Sequence, residues 1–393
     1  MKHRIVILGA GYAGASVATR LPRRLHRDDV DITLVNAEPD FVERVRMHQV
    51  AAGQDLRHRP LRDMLAGTGA TVRVARVTAV DVDRRTVALT GSEGDQELAY
   101  DTLVYALGSA QDDHGVPGVT EHAHDVASRA GALRLRERLS GLPDGGRVVV
   151  VGGGLTGIEA ASELAEAHGR LEVALVVRGG LGERLSPTGR EHLRSTLGRL
   201  GVTVHEQTGV SRVGAGEVVT DDGGVLPADV TVWQAGFAVH PIAAATGLAV
   251  SERGQIVVDG TMRSVSHPDV YAVGDSALAE GALGTSLRMS CASGIPMAWQ
   301  AADSIAARLT GGSLPHTPLD YVQQCISLGR RDAVIQFVTA DDRAKPTVLT
   351  GRFAAGYKEL ICKGAAFTVA HPLLYLVRRR LVAGAIVAPT TGA

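Results

Sequence analysis

Gly9-Ala10-Gly11-Tyr12-Ala13-Gly14 follows the apolar run Ile5-Val6-Ile7-Leu8 and precedes a stretch of mostly small residues that ends at Leu21. The glycine spacing is GxGxxG. A short, continuously apolar run suits a parallel strand buried on both faces. In such a unit the first glycine makes the tight bend and the second lets backbone approach a pyrophosphate. The third lets helix and strand pack closely, and the phosphate rests on the positive end of the helix. Ile32-Thr33-Leu34-Val35 supplies the next strand, so the order is β-turn-α-β. Taken alone the pattern is weak, because a glycine-rich structural turn mimics it.

Its repetition decides the fold. Gly152-Gly153-Gly154-Leu155-Thr156-Gly157 begins 143 residues after Gly9. It lies between Val148-Val149-Val150-Val151 and a helix running through Ile158 to Ala167, and Val173 to Val177 is the strand beyond. Two dinucleotide cradles predict two dinucleotides. The expected fold class is α/β, with two Rossmann-like dinucleotide-binding domains and a small α+β C-terminal domain. Val72 to Leu89 reads as alternating strands around a turn at Asp83-Arg84-Arg85, and Asp101 to Gly108 as another buried strand. Gly115-Val116-Pro117-Gly118 looks like a crossing into an inserted domain that closes near Trp233-Gln234-Ala235-Gly236, after which Val270 to Val273 rejoins the first sheet. The expected division is 1–115 with 237–318, then 116–236, then 319–393. In the last part, strands are expected near Ala333 to Val338 and Thr347 to Arg352, and a helix from about Ala355 to Ala370.

Composition narrows the class further. The 393 residues include 47 glycines without a Gly-X-Y period, which fits turns near ligands rather than a fibre. With 41 basic and 42 acidic residues the formal charge is −1, so no global field recruits nucleic acid. Cys291, Cys325 and Cys362 are far apart and form no CxxC pair, which argues against a disulfide framework and fits a reducing, cytoplasmic setting. No metal ligand set is expected. The N-terminus lacks the apolar core of a secretory signal, and no run of about 18 uninterrupted apolar residues predicts a spanning helix.

The residue ending the second strand of each unit reads the ribose. In the first unit Val35 is followed by Asn36, with Glu38 two residues on. Asn36 either accepts from a ribose hydroxyl without charge assistance or simply turns the chain. In the second unit Val177 is followed by Arg178, with Arg184 beyond and no acid at the strand end. A guanidinium there suits the 2′-phosphate of NADPH over NADH, the alternative being a solvated surface arginine.

These marks together resemble the two-dinucleotide-binding flavoproteins of the pyridine-nucleotide oxidoreductase superfamily. Asp101 to Ser109 resembles the family strand ending Ala-Thr-Gly, with Leu107 in place of the usual Thr, and Ala228 to Gly236 resembles its counterpart in the nicotinamide domain. Val270-Tyr271-Ala272-Val273-Gly274-Asp275 resembles the segment whose Asp holds the ribityl and phosphate region of the flavin. The likeness covers about residues 4 to 310. The second glycine turn, followed by Ile158-Glu159, looks closest to type II NADH:quinone oxidoreductases and apoptosis-inducing-factor-like proteins.

The resemblance implies FAD in the discontinuous domain and NADPH or NADH in the inserted one. It implies FAD contacts at Gly9, Gly11, Ala13, Gly14, Val77, Gly108, Gly274 and Asp275, with Asn36, Glu38 and Arg44 as further candidates. Gly152, Gly154, Gly157, Arg178 and Arg184 serve the nicotinamide nucleotide. Pro296 is expected to open a helix aimed at the flavin. Glu159 matches a glutamate near the nicotinamide, although the helix dipole alone also favours an acid there. Arg44 pairs a phosphate and His48 relays a proton to the acceptor, or each is an ordinary packing residue. Phe237 and Trp299 line an acceptor pocket or pack in the core.

The family's cysteine pairs are absent. Hydride from the nicotinamide would therefore pass through flavin to a quinone or quinone-like small molecule. Ferredoxin-type electron transfer, tailoring of a secondary metabolite, and NAD(P)H-responsive redox sensing through dimerisation remain alternatives. The basic and apolar tail, Pro372 to Val382, makes peripheral membrane contact, a homodimer interface, or packing on its own domain.

Overall fold

The computed structural model describes residues 1–281, 283–315, 319–371 and 380–382. Two five-stranded parallel sheets organise it. In the first, the order is Val270–Ala272, Thr102–Tyr105, His3–Leu8, Val30–Asn36, Thr71–Val74. Ile5, Ile7 and Leu8 are fully buried, as a strand covered on both faces requires. The helix Tyr12–Arg20 packs on the helix Cys291–Thr310, and Arg20 grips both carboxylate oxygens of Asp303 at 2.9 and 2.8 Å.

In the second sheet the order is Thr203–His205, Glu172–Val176, Arg147–Val151, Val230–Trp233, Ala123–His124, again parallel. Each sheet has the strand that feeds the glycine turn at its centre. Each unit also carries a three-stranded antiparallel sheet: Arg76–Asp81, Thr86–Gly91 and Gly94–Ala99 in the first, and Val210–Val213, Glu217–Thr220 and Val225–Pro227 in the second. The run from Val72 to Leu89 thus divides between a parallel and an antiparallel sheet. The chain passes between the units through Ser109–Gln111 and Phe237–Val239, which pair antiparallel with each other.

The C-terminal part is an antiparallel sheet, Gln323–Ser327, Ala333–Val338 and Ala344–Thr350, followed by the helix Gly351–Ala370. That helix starts four residues before the expected Ala355. Asp332 accepts from the N–H of Gly351 at 3.0 Å, holding the turn there. Pro296 does not open its helix. The helix that it was expected to open begins at Cys291, with the Ser290 hydroxyl accepting from the N–H of Ser293, and Pro296 lies inside it. A serine cap outweighs a proline signal because it satisfies an orphan N–H, whereas proline merely tolerates lacking one. Of the tail, Pro372 to Arg379 lies outside the described residues. Arg380 bonds the backbone of Arg24 and His26, and the N–H of Val382 donates to Asp29.

Candidate active site

The two glycine turns carry the same steric requirement. A Cβ on Gly14 would sit 1.9 Å from the Gly9 carbonyl oxygen, and one on Gly157 would sit 1.9 Å from that of Gly152. The middle glycines differ in kind, since a Cβ on Gly11 or Gly154 would meet nothing within 4 Å. That open space is where a ligand approaches backbone. Gly11 and Gly154 are the N-caps of their helices, neither has a side-chain cap, and neither helix has an acid in its first turn. The N-terminal N–H groups are therefore left for an anion.

Both turns open on one cavity of about 350 Å³. Gly11, Tyr12 and Ala13 reach it from the first unit, and Leu155, Thr156 and Glu159 from the second. Gly108, Gly274 and Asp275 form its floor, and Met289 to Ala292 bring the start of the Cys291–Thr310 helix to its wall. Asp275 accepts from the Ser109 hydroxyl at 2.6 Å, and the Ser276 hydroxyl accepts from the N–H of Gly108 at 2.8 Å. These bonds tie the ends of two neighbouring strands together. Arg44 lies over the Phe237 ring, donates to the Ser109 carbonyl at 2.8 Å and stands 3.6 Å from Asp275. Its Nη2 is buried without a partner among the described residues, and burial pulls the guanidinium below its usual pKa.

Glu159 is 7% exposed. Its Oε1 accepts from the N–H of Ser327 at 3.0 Å and from Lys358 Nζ, and its Oε2 is 4.0 Å from Nδ1 of His48. Lys358 also donates to the Cys325 carbonyl, and burial pulls its ammonium down to about 8. Glu159 and Lys358 both line the cavity. His48 does not. It stands behind Glu159, 2% exposed, and burial with the charges of Lys358, Arg330 and Arg46 drives its pKa well below 6.5. The expected titrating relay is thus a neutral imidazole at ordinary pH, screened from the cavity by the residue it supports.

The remaining expected residues divide clearly. Asn36 uses its Oδ1 to accept from the N–H of Ala10 at 2.9 Å and its Nδ2 to reach the Glu38 carbonyl, so its amide braces the first turn. Glu38 is exposed. Val77 is a core residue of an antiparallel strand and does not line the cavity. Arg178 and Arg184 are exposed just past the strand Glu172–Val176, with no hydrogen-bond partner among the described residues. Phe237 lines the cavity, whereas Trp299 is half-buried under Arg20.

Lys358 was missed, as was the convergence of Cys291, Cys325 and Cys362 on the cavity wall. No local signal marks them, because the three segments meet only through tertiary packing. All three cysteines are free. Burial raises Cys291 to about 11 and Cys325 to about 12, and Cys362 also rises, so at neutral pH they are thiols rather than nucleophilic thiolates.

Two glycine turns facing a shared cavity define a class, the oxidoreductases that bring two nucleotides together. Residues 3–306 match the pyridine nucleotide-disulphide oxidoreductase family, and the chain belongs to it. An NADH dehydrogenase-like protein of Mycobacterium tuberculosis is 32% identical over 357 residues, spanning 84% of this chain and 87% of that one. Demethylphylloquinone reductase of Synechocystis is 26% identical, spanning 84% and 86%. Among solved structures, NDH2 of Plasmodium falciparum in complex with NADH superposes with a TM-score of 0.79 at 15% identity, over 94% of this chain and 98% of that one. FAD and NAD(P)H are the cofactors of this family. The crowded glycines, the uncapped helix ends and the open approach at Gly11 and Gly154 fit both.

Proposed function

We propose that the chain is a type II NAD(P)H:quinone oxidoreductase that works without a redox disulfide. One observation carries this reading: both glycine turns open on the same cavity, whose remaining walls are apolar apart from a few aimed polar groups. The FAD nucleotide belongs to residues 1–115 and 237–318, the nicotinamide nucleotide to 116–236, and Gln323 to Cys325 with Lys358 to Ala365 close the cavity from the C-terminal part. Bound FAD supplies the step between a two-electron nicotinamide donor and a quinone acceptor.

The chain's own work is position, electrostatics and protons. Gly11 and Gly154 give N–H groups to phosphates. Asp275, braced by Ser109, is an acceptor for hydroxyls of the FAD chain. The Cys291–Thr310 helix turns its positive end toward the cavity, favouring negative charge there. Glu159 and Lys358 hold a proton at the cavity wall, and His48 keeps Glu159 in place from behind. The demethylphylloquinone reductase and quinone oxidoreductases among the relatives support a quinone acceptor.

Anaerobic mixing tests this. NAD(P)H should bleach the yellow absorbance of the purified protein, and a naphthoquinone should restore it faster than ferredoxin or oxygen does. Protein that stays colourless when supplied with FAD ends the proposal.

Membrane contact belongs to the same reading. Phe353, Leu360 and Phe367 are 72%, 66% and 56% exposed and recur every seventh residue along one side of the Gly351–Ala370 helix. Such a stripe, next to Arg352 and Lys363, suits an interfacial helix that lies on lipid. No described helix is long and apolar enough to cross a membrane. Replacing the three residues by Ser should abolish cosedimentation with anionic vesicles. Unchanged cosedimentation removes this helix from the contact.

A further inference from the structure

The second glycine turn rests on Gln234, which follows the strand Val230–Trp233. A Cβ on Gly152 would sit 2.3 Å from the Gln234 carbonyl oxygen, and one on Gly157 would sit 3.6 Å from the Gln234 Cβ. The backbone is fixed, since the N–H of Gln234 donates to the Val151 carbonyl at 2.7 Å. The side chain is 7% exposed, and both its Nε2 and its Oε1 are buried with no hydrogen-bond partner among the described residues. Buried amides are nearly always paired, so a donor and an acceptor orphaned together call for a reason.

The chain contains its own control. In the first unit the corresponding residue is Ala106, whose carbonyl oxygen would lie 2.3 Å from a Cβ on Gly9 and whose own Cβ would lie 3.1 Å from one on Gly14. Ala106 packs against its turn with a single methyl group. The turn therefore does not need an amide at this position. What differs between the two units is the ligand.

Sheet order indicates which part of the ligand. The strand Arg147–Val151 has Glu172–Val176 on one side and Val230–Trp233 on the other. With the pyrophosphate at the central turn, the adenosine ribose is read at the end of the strand Glu172–Val176. The nicotinamide half then belongs to the Gln234 side, where Leu155, Thr156 and Glu159 face the cavity. A nicotinamide carboxamide offers an acceptor oxygen and N–H donors, the complement of a glutamine amide.

We propose that Gln234 is a binding residue for the nicotinamide half of NAD(P)H and turns its amide onto the carboxamide when the nucleotide binds. This rests on the two-nucleotide reading above. The test is equilibrium binding to the FAD-loaded protein of two probes, ADP-ribose and the non-reducing analogue 1,4,5,6-tetrahydro-NAD, each also as its 2′-phosphate. Gln234→Ala should weaken the tetrahydro analogue about tenfold and leave ADP-ribose unchanged, as for one lost hydrogen-bonded pair. Gln234→Leu, which keeps the buried volume, should behave alike and serves if the alanine variant does not fold. Equal weakening of both probes, or of neither, overturns the proposal. If the wild type binds neither probe, the two-nucleotide reading itself fails.

Discussion

The two glycine turns share a backbone but not what surrounds it. Both crowd their third glycine to 1.9 Å of a carbonyl oxygen, and both leave their helix N-terminus uncapped. Beside the first turn the chain braces its own strand end: Asn36 accepts from Ala10, and Ala106 packs with a methyl group. Around the second it leaves groups open, with Arg178 exposed at the strand end and the Gln234 amide unpartnered. A strand end braced by the chain's own amide suits a cofactor that stays, and an open one suits a substrate that must bind and leave. The ion pair of Glu159 with Lys358 stands on the second side, next to the Ser327 backbone.

The largest effect should come from the shared requirement. Gly14→Ala should yield protein without flavin, whereas Gly157→Ala should keep its FAD and lose NAD(P)H binding by ~100-fold or more, because the methyl group must displace backbone. Absorbance at purification and nucleotide titration check this. Loss of flavin in both variants would break the assignment of one turn to each nucleotide.

Next in size is the proton pair. Lys358 keeps its proton below about 8 and loses it as pH rises through that value. Quinone-dependent kcat should therefore be flat at lower pH and fall above about 8. Lys358→Met should remove that limb and lower kcat by roughly 100-fold, within the range of acid–base effects. A limb that survives in the variant belongs to another group.

The smallest effect sharpens the difference between the turns. Arg178→Ala should raise KM for NADPH about tenfold, or about 1.4 kcal/mol, and leave KM for NADH unchanged. An equal change for both nucleotides would show that Arg178 does not read a 2′-phosphate.

The glycine turns were legible in the sequence because their constraints are local. A strand, a bend and a helix start within six residues leave little choice of side chain, and the duplication at Gly9 and Gly152 exposes the plan. The helix Cys291–Thr310 starts five residues before Pro296, which carries a helix-start signal as plain as the Ser290 cap that acts. The solution pKa of His48 holds only for an imidazole that water can reach, and in the folded chain the ring is buried.

The sequence by itself determined the α/β class, the paired nucleotide cradles and the lack of a local dithiol, since each rests on residues near one another along the chain. Only the tertiary structure brought Lys358 to Glu159 across 199 residues, gathered the three cysteines on one wall and left the Gln234 amide without a partner among the described residues. Burial and charge pairing depend on which segments the packed core brings together, and no spacing along the chain records that.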